Sequence, residues 1–145
     1  MTDVFYDLGK REAQRLRTEA KELDGTAIID REYAAPDFDP QKDYSSWPTG
    51  APVVDGGQVW TLLQPYNAAD HPGRPAELRA LWGLCHTKDP AKAKAWVPPL
   101  GTSGMYMQGE CYKDADGVVW RCKGDNTVHD AKALPSGWER VQNAE

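Results

Sequence analysis

The sequence predicts a mainly β protein: two small, aromatic-rich, three-stranded β modules in tandem, preceded by an N-terminal helix and an extended arm. Two observations lead to this prediction. Eleven Pro and thirteen Gly are spread through 145 residues and divide most of the chain into short segments with many turns. An ordered set of aromatic and glycine motifs also occurs twice. We therefore divide the chain into an N-terminal region 1–42, a first module 43–82, a linker 83–95 and a second module 96–141.

The composition indicates what fills the cores. Six Trp and six Tyr stand against two Phe, and the mean hydropathy of -0.69 reflects the scarcity of long aliphatic runs. A chain of this length forms one ordinary domain or two very small ones. Bulky rings must then supply much of the buried surface of two such small cores.

Charge excludes some partners. The formal net charge is -5, and the basic clusters, at 10–17 and 88–94, are short. Nucleic-acid binders instead concentrate Lys and Arg on one face, so we expect no nucleic-acid partner.

No apolar stretch approaches the roughly 20 residues that cross a bilayer. Residues 1–25 lack the apolar core of a signal peptide, so we expect synthesis in a cytoplasm and no membrane partner.

The N-terminal region begins with a helical pattern from Asp7 to Leu23. Gly25 follows, in the position where a helix often ends with a residue of positive φ. The apolar stripe is narrow, which predicts that the helix docks on a partner or on its own copies, as in a homo-oligomer such as a trimer. The stripe consists of Leu8, Ala13, Leu16, Ala20 and Leu23.

After the helix, Thr26 to Ile29 is predicted as a short strand, and the chain to Pro40 as an extended connector stiffened by proline. We interpret residues 1–42 as an attachment and oligomerisation region that contacts other proteins. The alternative is that this region packs against the first module.

The internal repeat is visible in three motif pairs. Trp47-Pro-Thr-Gly50 matches Tyr106-Met-Gln-Gly109 at an offset of 59 residues. The Gly-containing turn and strand ending in Val59-Trp60 match those ending in Val119-Trp120 at an offset of 60. Each module closes with Pro ahead of Trp, at Trp82 and Trp138, an offset of 56.

Each repeated part has a physical role. Glycine permits the positive φ of tight hairpin turns, and Val-Trp pairs suit a pleated strand. One ring per strand, together with the closing Trp, then forms a miniature core. The predicted core rings are Trp47, Trp82, Tyr106 and Trp138.

Three cysteines, at 85, 111 and 122, cannot all pair within one monomer. Cys111 and Cys122 fall on the two strands of one predicted hairpin. A disulfide between them is one alternative. The favoured alternative is two buried thiols packed as small hydrophobic groups.

These motifs resemble a known family. Gly56-Gly-Gln-Val-Trp60, followed by Tyr66-Asn and a closing Leu-Trp82, resembles the small chitin-binding module of carbohydrate-binding families 5 and 12. The second module is more similar to a variant found in tail and other virion proteins of phages that infect Gram-positive bacteria. Its matching motifs are Trp96, Tyr106-Met-Gln-Gly109, Gly117-Val-Val-Trp120 and Pro135-Ser-Gly-Trp138.

The resemblance implies sugar binding, for which an exposed, fixed aromatic plane is needed because sugar rings present apolar C–H faces. The candidate carbohydrate-binding residues are Trp60 and Tyr66 in the first module and Tyr112 and Trp120 in the second. For each of them, a role as a core ring is the alternative.

We expect no enzymatic activity, no catalytic residue, no cofactor and no metal site. The three His are scattered, and no Ser lies in a Gly-x-Ser-x-Gly turn. Cys85-His86 with another Cys or His matches no closed zinc spacing.

Three functional hypotheses follow. The first is a phage virion protein of a tail, baseplate or head appendage, which attaches through residues 1–42 and contacts host cell-wall glycan through its modules. The second is a purely architectural adaptor or decoration protein of the virion. The third is an accessory glycan-binding module of a secreted degrading system, which the absence of a signal peptide and of a catalytic domain disfavours.

Overall fold

The chain begins with a long helix and continues into two separate small sheets. The computed structural model describes residues 2–141, with side chains from residue 8 onward. Met1, the first residue of the predicted attachment region, lies outside the described residues. The two α-helices contain as many residues as the seven strands together, so the protein is β-rich with a substantial helical part.

The elements follow one another in a simple order. The helices are α1 (Thr2–Glu19) and α2 (Gly25–Asp30). The strands are β1 (Pro52–Asp55), β2 (Gln58–Leu62), β3 (Trp82–Leu84), β4 (Lys94–Ala95), β5 (Cys111–Lys113), β6 (Val119–Cys122) and β7 (Trp138–Arg140). Short 3-10 helices lie at Ala20–Glu22, Glu32–Ala34, Ala68–Asp70, Pro90–Lys92 and Pro135–Gly137.

The predicted strand at Thr26 to Ile29 is wrong, because these residues lie in α2. The Asp24 side chain accepts a 2.8 Å hydrogen bond from the Ala27 backbone N–H, which starts the helix despite its β-branched residues. Gly25 is the first residue of α2 and does not have positive φ, so its predicted role in ending the first helix is also wrong. Gly25 instead allows α2 to approach the backbone of His86, whose carbonyl oxygen a side chain would overlap.

The first sheet is an antiparallel meander of β1, β2 and β3. The second sheet contains β4, β5, β6 and β7, so it has four strands where the sequence predicted three. Strand β4 is the additional one and pairs in parallel with β5. It lies in the segment that the sequence assigned to a linker.

The pairing of β2 with β3 has the same register as the pairing of β6 with β7. Trp60 faces Leu84 and Leu62 faces Trp82 in the first sheet, whereas Trp120 faces Arg140 and Cys122 faces Trp138 in the second. The glycines that permit the turns also correspond. Gly50 and Gly109 both have φ of 92°, while Gly57 and Gly117 have φ of 78° and 83°.

The match extends into the predicted arm. Asp37 makes a parallel bridge to Val54 of β1, as Ala95 of β4 pairs in parallel with Lys113 of β5. Phe38 and Trp96, the next residues, both pack edge-on against the closing Trp of their sheet.

Aromatic rings form the cores. The first cluster contains Phe38, Tyr44, Trp60, Tyr66 and Trp82, with aliphatic neighbours. The second cluster contains Tyr106, Tyr112 and Trp138, with Trp96 and Trp120 packed at its edge.

The N-terminal region packs on the first sheet rather than standing apart. Ile28 and Ile29 of α2 form a cluster with Val59 and Cys85, and Phe38 belongs to the first cluster. At the far end of α1, Leu8 is 47% exposed. The N-terminal region therefore contacts the first sheet mainly through α2 and the residues that follow it.

Candidate functional site

The predicted core rings occupy the centres of the two clusters with one exception. Trp82, Tyr106 and Trp138 are buried. Trp47 is half-buried at the edge of the first cluster, where Tyr44 fills the interior position instead. Two cations contact the Trp47 ring, the guanidinium of Arg17 at 4.8 Å and the ammonium of Lys42 at 5.5 Å from its centroid.

Trp60 does not present the open ring face that sugar stacking requires. Its side chain is 2% exposed, and its indole N–H donates a 3.3 Å hydrogen bond to the Asp55 carbonyl. The Arg79 guanidinium lies 5.2 Å from the ring centroid. Burial in the first cluster and this cation together deny Trp60 to a sugar ring.

Tyr66 and Tyr112 are also core rings, at 7% and 3% exposure. The Tyr66 hydroxyl accepts a 2.7 Å hydrogen bond from the Trp82 indole N–H. The Tyr112 hydroxyl accepts a 2.9 Å bond from the Ala131 backbone N–H. Both hydroxyls hold a loop or ring in place, so the expected exposure of these two tyrosines is absent.

Trp120 is the one candidate whose ring stays accessible. It is half-buried on β6, opposite Tyr112 in the sheet register. Its indole N–H donates a 2.9 Å hydrogen bond to one carboxylate oxygen of Asp114. The other oxygen of Asp114 accepts backbone N–H bonds from Asp116 and Val118, both of 2.9 Å. The hairpin turn thus fixes the orientation of the indole plane.

Trp120 borders a cleft of about 730 Å³ on the second sheet. Trp96 and Tyr112 supply further aromatic surface, and Ala131 and Pro135 supply aliphatic surface. Charged groups line the same cleft: Lys113, Asp114, Asp116, Asp130 and Lys132. An apolar cleft with a few polar groups is the usual form of a small-ligand site.

Asp114 stays ionised in this cleft. The hydrogen bond from the Trp120 indole, followed by the bond from the Val118 N–H, lowers the pKa of its carboxyl group. Among the described residues, none of the three cleft carboxylates forms an ion pair. The positive charge of Arg140 adds a smaller contribution that also lowers the pKa of Asp114.

The Cys85 thiol and the His86 imidazole are buried side chains of the core. Burial raises the pKa of the Cys85 thiol to about 12, which leaves little thiolate to act as nucleophile or ligand. The neighbouring His86 ring bonds to the Gly104 carbonyl at 2.9 Å, and burial lowers its pKa to about 4. In the described part of the chain, no group of three His, Cys, Asp or Glu side chains is arranged to hold a metal ion.

Cys111 and Cys122 are both free thiols. Strand register pairs Cys111 with Arg121, so Cys111 and Cys122 project from opposite faces of the sheet. Cys111 packs with Ala93 and Val119, whereas Cys122 lies in the second cluster. The open question of a disulfide across this hairpin is thus answered in favour of two buried thiols.

Sequence reasoning missed Trp96 and Asp130 as cleft residues. In the sequence, Trp96 stands out only as part of a motif, and Asp130 belongs to no motif. The offset of 56 that joins Trp82 to Trp138 also joins Arg74 to Asp130 and Arg79 to Pro135. The same offset therefore reveals that two arginines of the first module are replaced in the second by an aspartate and a proline.

Within residues 2–141, no helix is long and apolar enough to cross a bilayer. No protein-family model matches the chain, and a search of curated proteins finds no match to it.

Proposed function

We propose that this chain is a non-catalytic glycan-binding protein whose binding face is the cleft beside Trp120. The observation that carries the proposal is the half-buried Trp120 ring, which Asp114 holds in a fixed orientation at the wall of a cleft of about 730 Å³. A rigid, accessible indole plane suits the apolar C–H face of a sugar ring. The neighbouring carboxylates and lysines can bond its hydroxyl groups.

The two sheets are proposed as tandem copies of one mainly β module. Support comes from the shared register of β2–β3 and β6–β7, and from the matching positive-φ glycines. The parallel bridges that precede β1 and β5 support it as well. In this proposal only the second copy binds glycan, because Trp60 of the first copy is covered.

The protein is further proposed to act on a phage virion, as part of a tail, baseplate or head appendage. The resemblance of the second module to phage virion proteins supports this placement. Attachment to other virion proteins is assigned to residues 1–42, and α1 leaves Leu8 47% exposed for such a contact or for association with other copies. The glycan partner is then the host cell wall.

A cell-wall and chitin pull-down with Trp120→Ala tests the glycan-binding proposal. We expect wild-type protein to be retained and Trp120→Ala to be lost from the pellet. Tyr33→Ala is the matched control, because Tyr33 is an aromatic residue with 75% exposure that does not line the cleft. Equal retention of all three proteins, or of none, would contradict glycan binding at Trp120.

The architectural hypothesis has one observation in its favour. Three of the four rings considered for sugar binding, Trp60, Tyr66 and Tyr112, are core residues. In that case no protein is retained on cell wall or chitin, and the purified protein instead binds assembled particles through the Trp120 cleft. The modules would then serve as adaptors between virion proteins.

A further inference from the structure

The two sheets differ in the charges placed beside equivalent rings. The closing residues Trp82 and Trp138 fix the alignment at an offset of 56. Upstream of them, the Leu78 N–H bonds to the Arg74 carbonyl at 3.1 Å, and the Leu134 N–H bonds to the Asp130 carbonyl at 2.8 Å. Equivalent turns therefore carry Arg74 in the first sheet and Asp130 in the second.

In the first sheet, cations of the chain itself occupy the ring faces. The Arg79 guanidinium lies 5.2 Å from the Trp60 centroid. The Arg74 guanidinium lies 5.7 Å from the Phe38 centroid and bonds to the Asp55 carboxylate at 3.2 Å. Attraction between a cation and the ring quadrupole stabilises both placements.

In the second sheet, no cation of the described residues lies at the places that Arg74 and Arg79 occupy in the first. Trp120 and Trp96 stand where Trp60 and Phe38 stand in the first sheet. Asp130 replaces Arg74, and Pro135 replaces Arg79. Both replacements line the cleft beside Trp120, and no cation of the described residues lies over the Trp96 or Trp120 ring.

The cleft carboxylates form no ion pair with any described residue, although the positive charge of Arg140, which lies opposite Trp120 on β7, acts on Asp114 from a longer distance. Asp114 corresponds to Asp55, which pairs with Arg74, but the described residues place no cation within ion-pair distance of Asp114. Lys113 and Lys132 also line the cleft, but both residues are exposed and neither forms an ion pair with a cleft carboxylate. Aromatic faces and unpaired carboxylates meet in one cleft.

We propose that this cleft selects an ammonium-bearing ligand, namely a glycan that contains amino sugars with free amines. The ammonium group takes the place that the arginines occupy in the first sheet, between the indole faces and the Asp114 and Asp130 carboxylates. The inference rests on the proposed glycan-binding function and adds the substrate class to it. A fully N-acetylated sugar offers only a neutral amide at this position and gains neither interaction.

Calorimetric titration with two hexamers of equal length tests the inference. One is the hexamer of N-acetylglucosamine, and the other is the same hexamer with its amines free, at a pH where they are protonated. We expect the free-amine hexamer to bind at least about tenfold more tightly, a difference of 1.4 kcal/mol. Asp130→Asn should remove most of that preference, while its amide oxygen can still accept the Ala133 N–H bond that Asp130 accepts at 2.9 Å.

A matched control separates the cleft from general attraction between an acidic protein and a polycation. Asp70→Asn removes one carboxylate outside the cleft and should leave the preference unchanged. Asp130→Arg, which restores the residue type of the first sheet, should abolish binding of the free-amine hexamer.

The outcomes are distinguishable. Equal binding of both hexamers, or tighter binding of the N-acetylated one, overturns the ammonium inference and leaves glycan binding intact. An equal loss in Asp70→Asn and Asp130→Asn shows binding through net charge and also overturns it. No binding of either hexamer counts against the proposed function as well.

Discussion

The Trp82 indole N–H donates a 2.7 Å hydrogen bond to the Tyr66 hydroxyl inside the first cluster. Trp82 is completely buried, so water cannot replace this acceptor. Burial raises the pKa of the Tyr66 hydroxyl, and the bond from Trp82 opposes that rise. The pair joins the loop after β2 to the strand that closes the first sheet.

Tyr66→Phe should therefore destabilise the protein by about 1–3 kcal/mol, because the buried indole N–H loses its acceptor while the ring volume is kept. The measurement is the free energy of unfolding from urea titration. Tyr33→Phe is the control, since the exposed Tyr33 should change the value by less than about 0.5 kcal/mol. A similar small change for Tyr66→Phe would show that the bond contributes little.

Stability should fall as the pH is lowered from 6.5 to about 4, the unfolded and folded pKa values of His86. Between these values the unfolded chain binds a proton that the folded chain excludes, because burial, and after it the nearby positive charge of Arg79, disfavours the imidazolium. The lost stability from this group is about 3 kcal/mol.

His86→Gln isolates that contribution, because glutamine can still donate to the Gly104 carbonyl. Its unfolding free energy should depend less on pH than that of the wild type across the same window. The difference between the two proteins also cancels Glu110, whose pKa burial raises and whose contribution has the opposite sign. Identical pH profiles would place His86 in a solvated environment.

Gly25→Ala should lower the stability substantially, by several kcal/mol, because the new Cβ would overlap the His86 carbonyl oxygen and force α2 away from the sheet. Gly9→Ala is the opposite case, because outside the backbone of α1 itself and the two neighbouring residues no described atom lies within 4 Å of the new Cβ. It should raise the helix content of α1, favouring the helix by about 1 kcal/mol. Circular dichroism and thermal unfolding of both variants are the measurements. A melting temperature of Gly25→Ala equal to that of the wild-type protein would contradict the close approach at Gly25.

All three thiols should react slowly with a thiol reagent in the native protein and rapidly after denaturation. Cys85, Cys111 and Cys122 are free and buried, and burial raises the pKa of Cys85 and Cys111. The intact mass should correspond to three reduced cysteines. A mass two hydrogens lower in freshly purified protein would contradict the separation of Cys111 and Cys122 by the sheet.

The parts of the fold that depend on neighbouring residues could be predicted from the sequence. Turn glycines and Val-Trp strands appear where expected, because a tight turn requires positive φ at Gly57 and Gly117 whatever surrounds them. The signal that starts α2, the Asp24 side chain, also depends only on neighbouring residues. The β-branched Thr26, Ile28 and Ile29 nevertheless favour a strand in the sequence. Packing of α2 on the sheet outweighs that weak preference.

Ring exposure could not be predicted in the same way. Trp60 and Trp120 occupy equivalent strand positions, yet one is buried and the other borders a cleft. The difference arises from residues such as Arg79 and Pro135, which belong to the loop before the closing Trp. Phe38 was likewise assigned to an arm, because a single bridge between Asp37 and Val54 leaves no periodic signal.

The ordering of the two aromatic clusters along the chain has a consequence for biosynthesis. The buried members of the first cluster all lie between Phe38 and Trp82, and those of the second between Tyr106 and Trp138. The first core can thus close while the second is still being translated. Once β2 has paired with β1 and β3, both of its edges are occupied when the strands of the second sheet emerge from the ribosome.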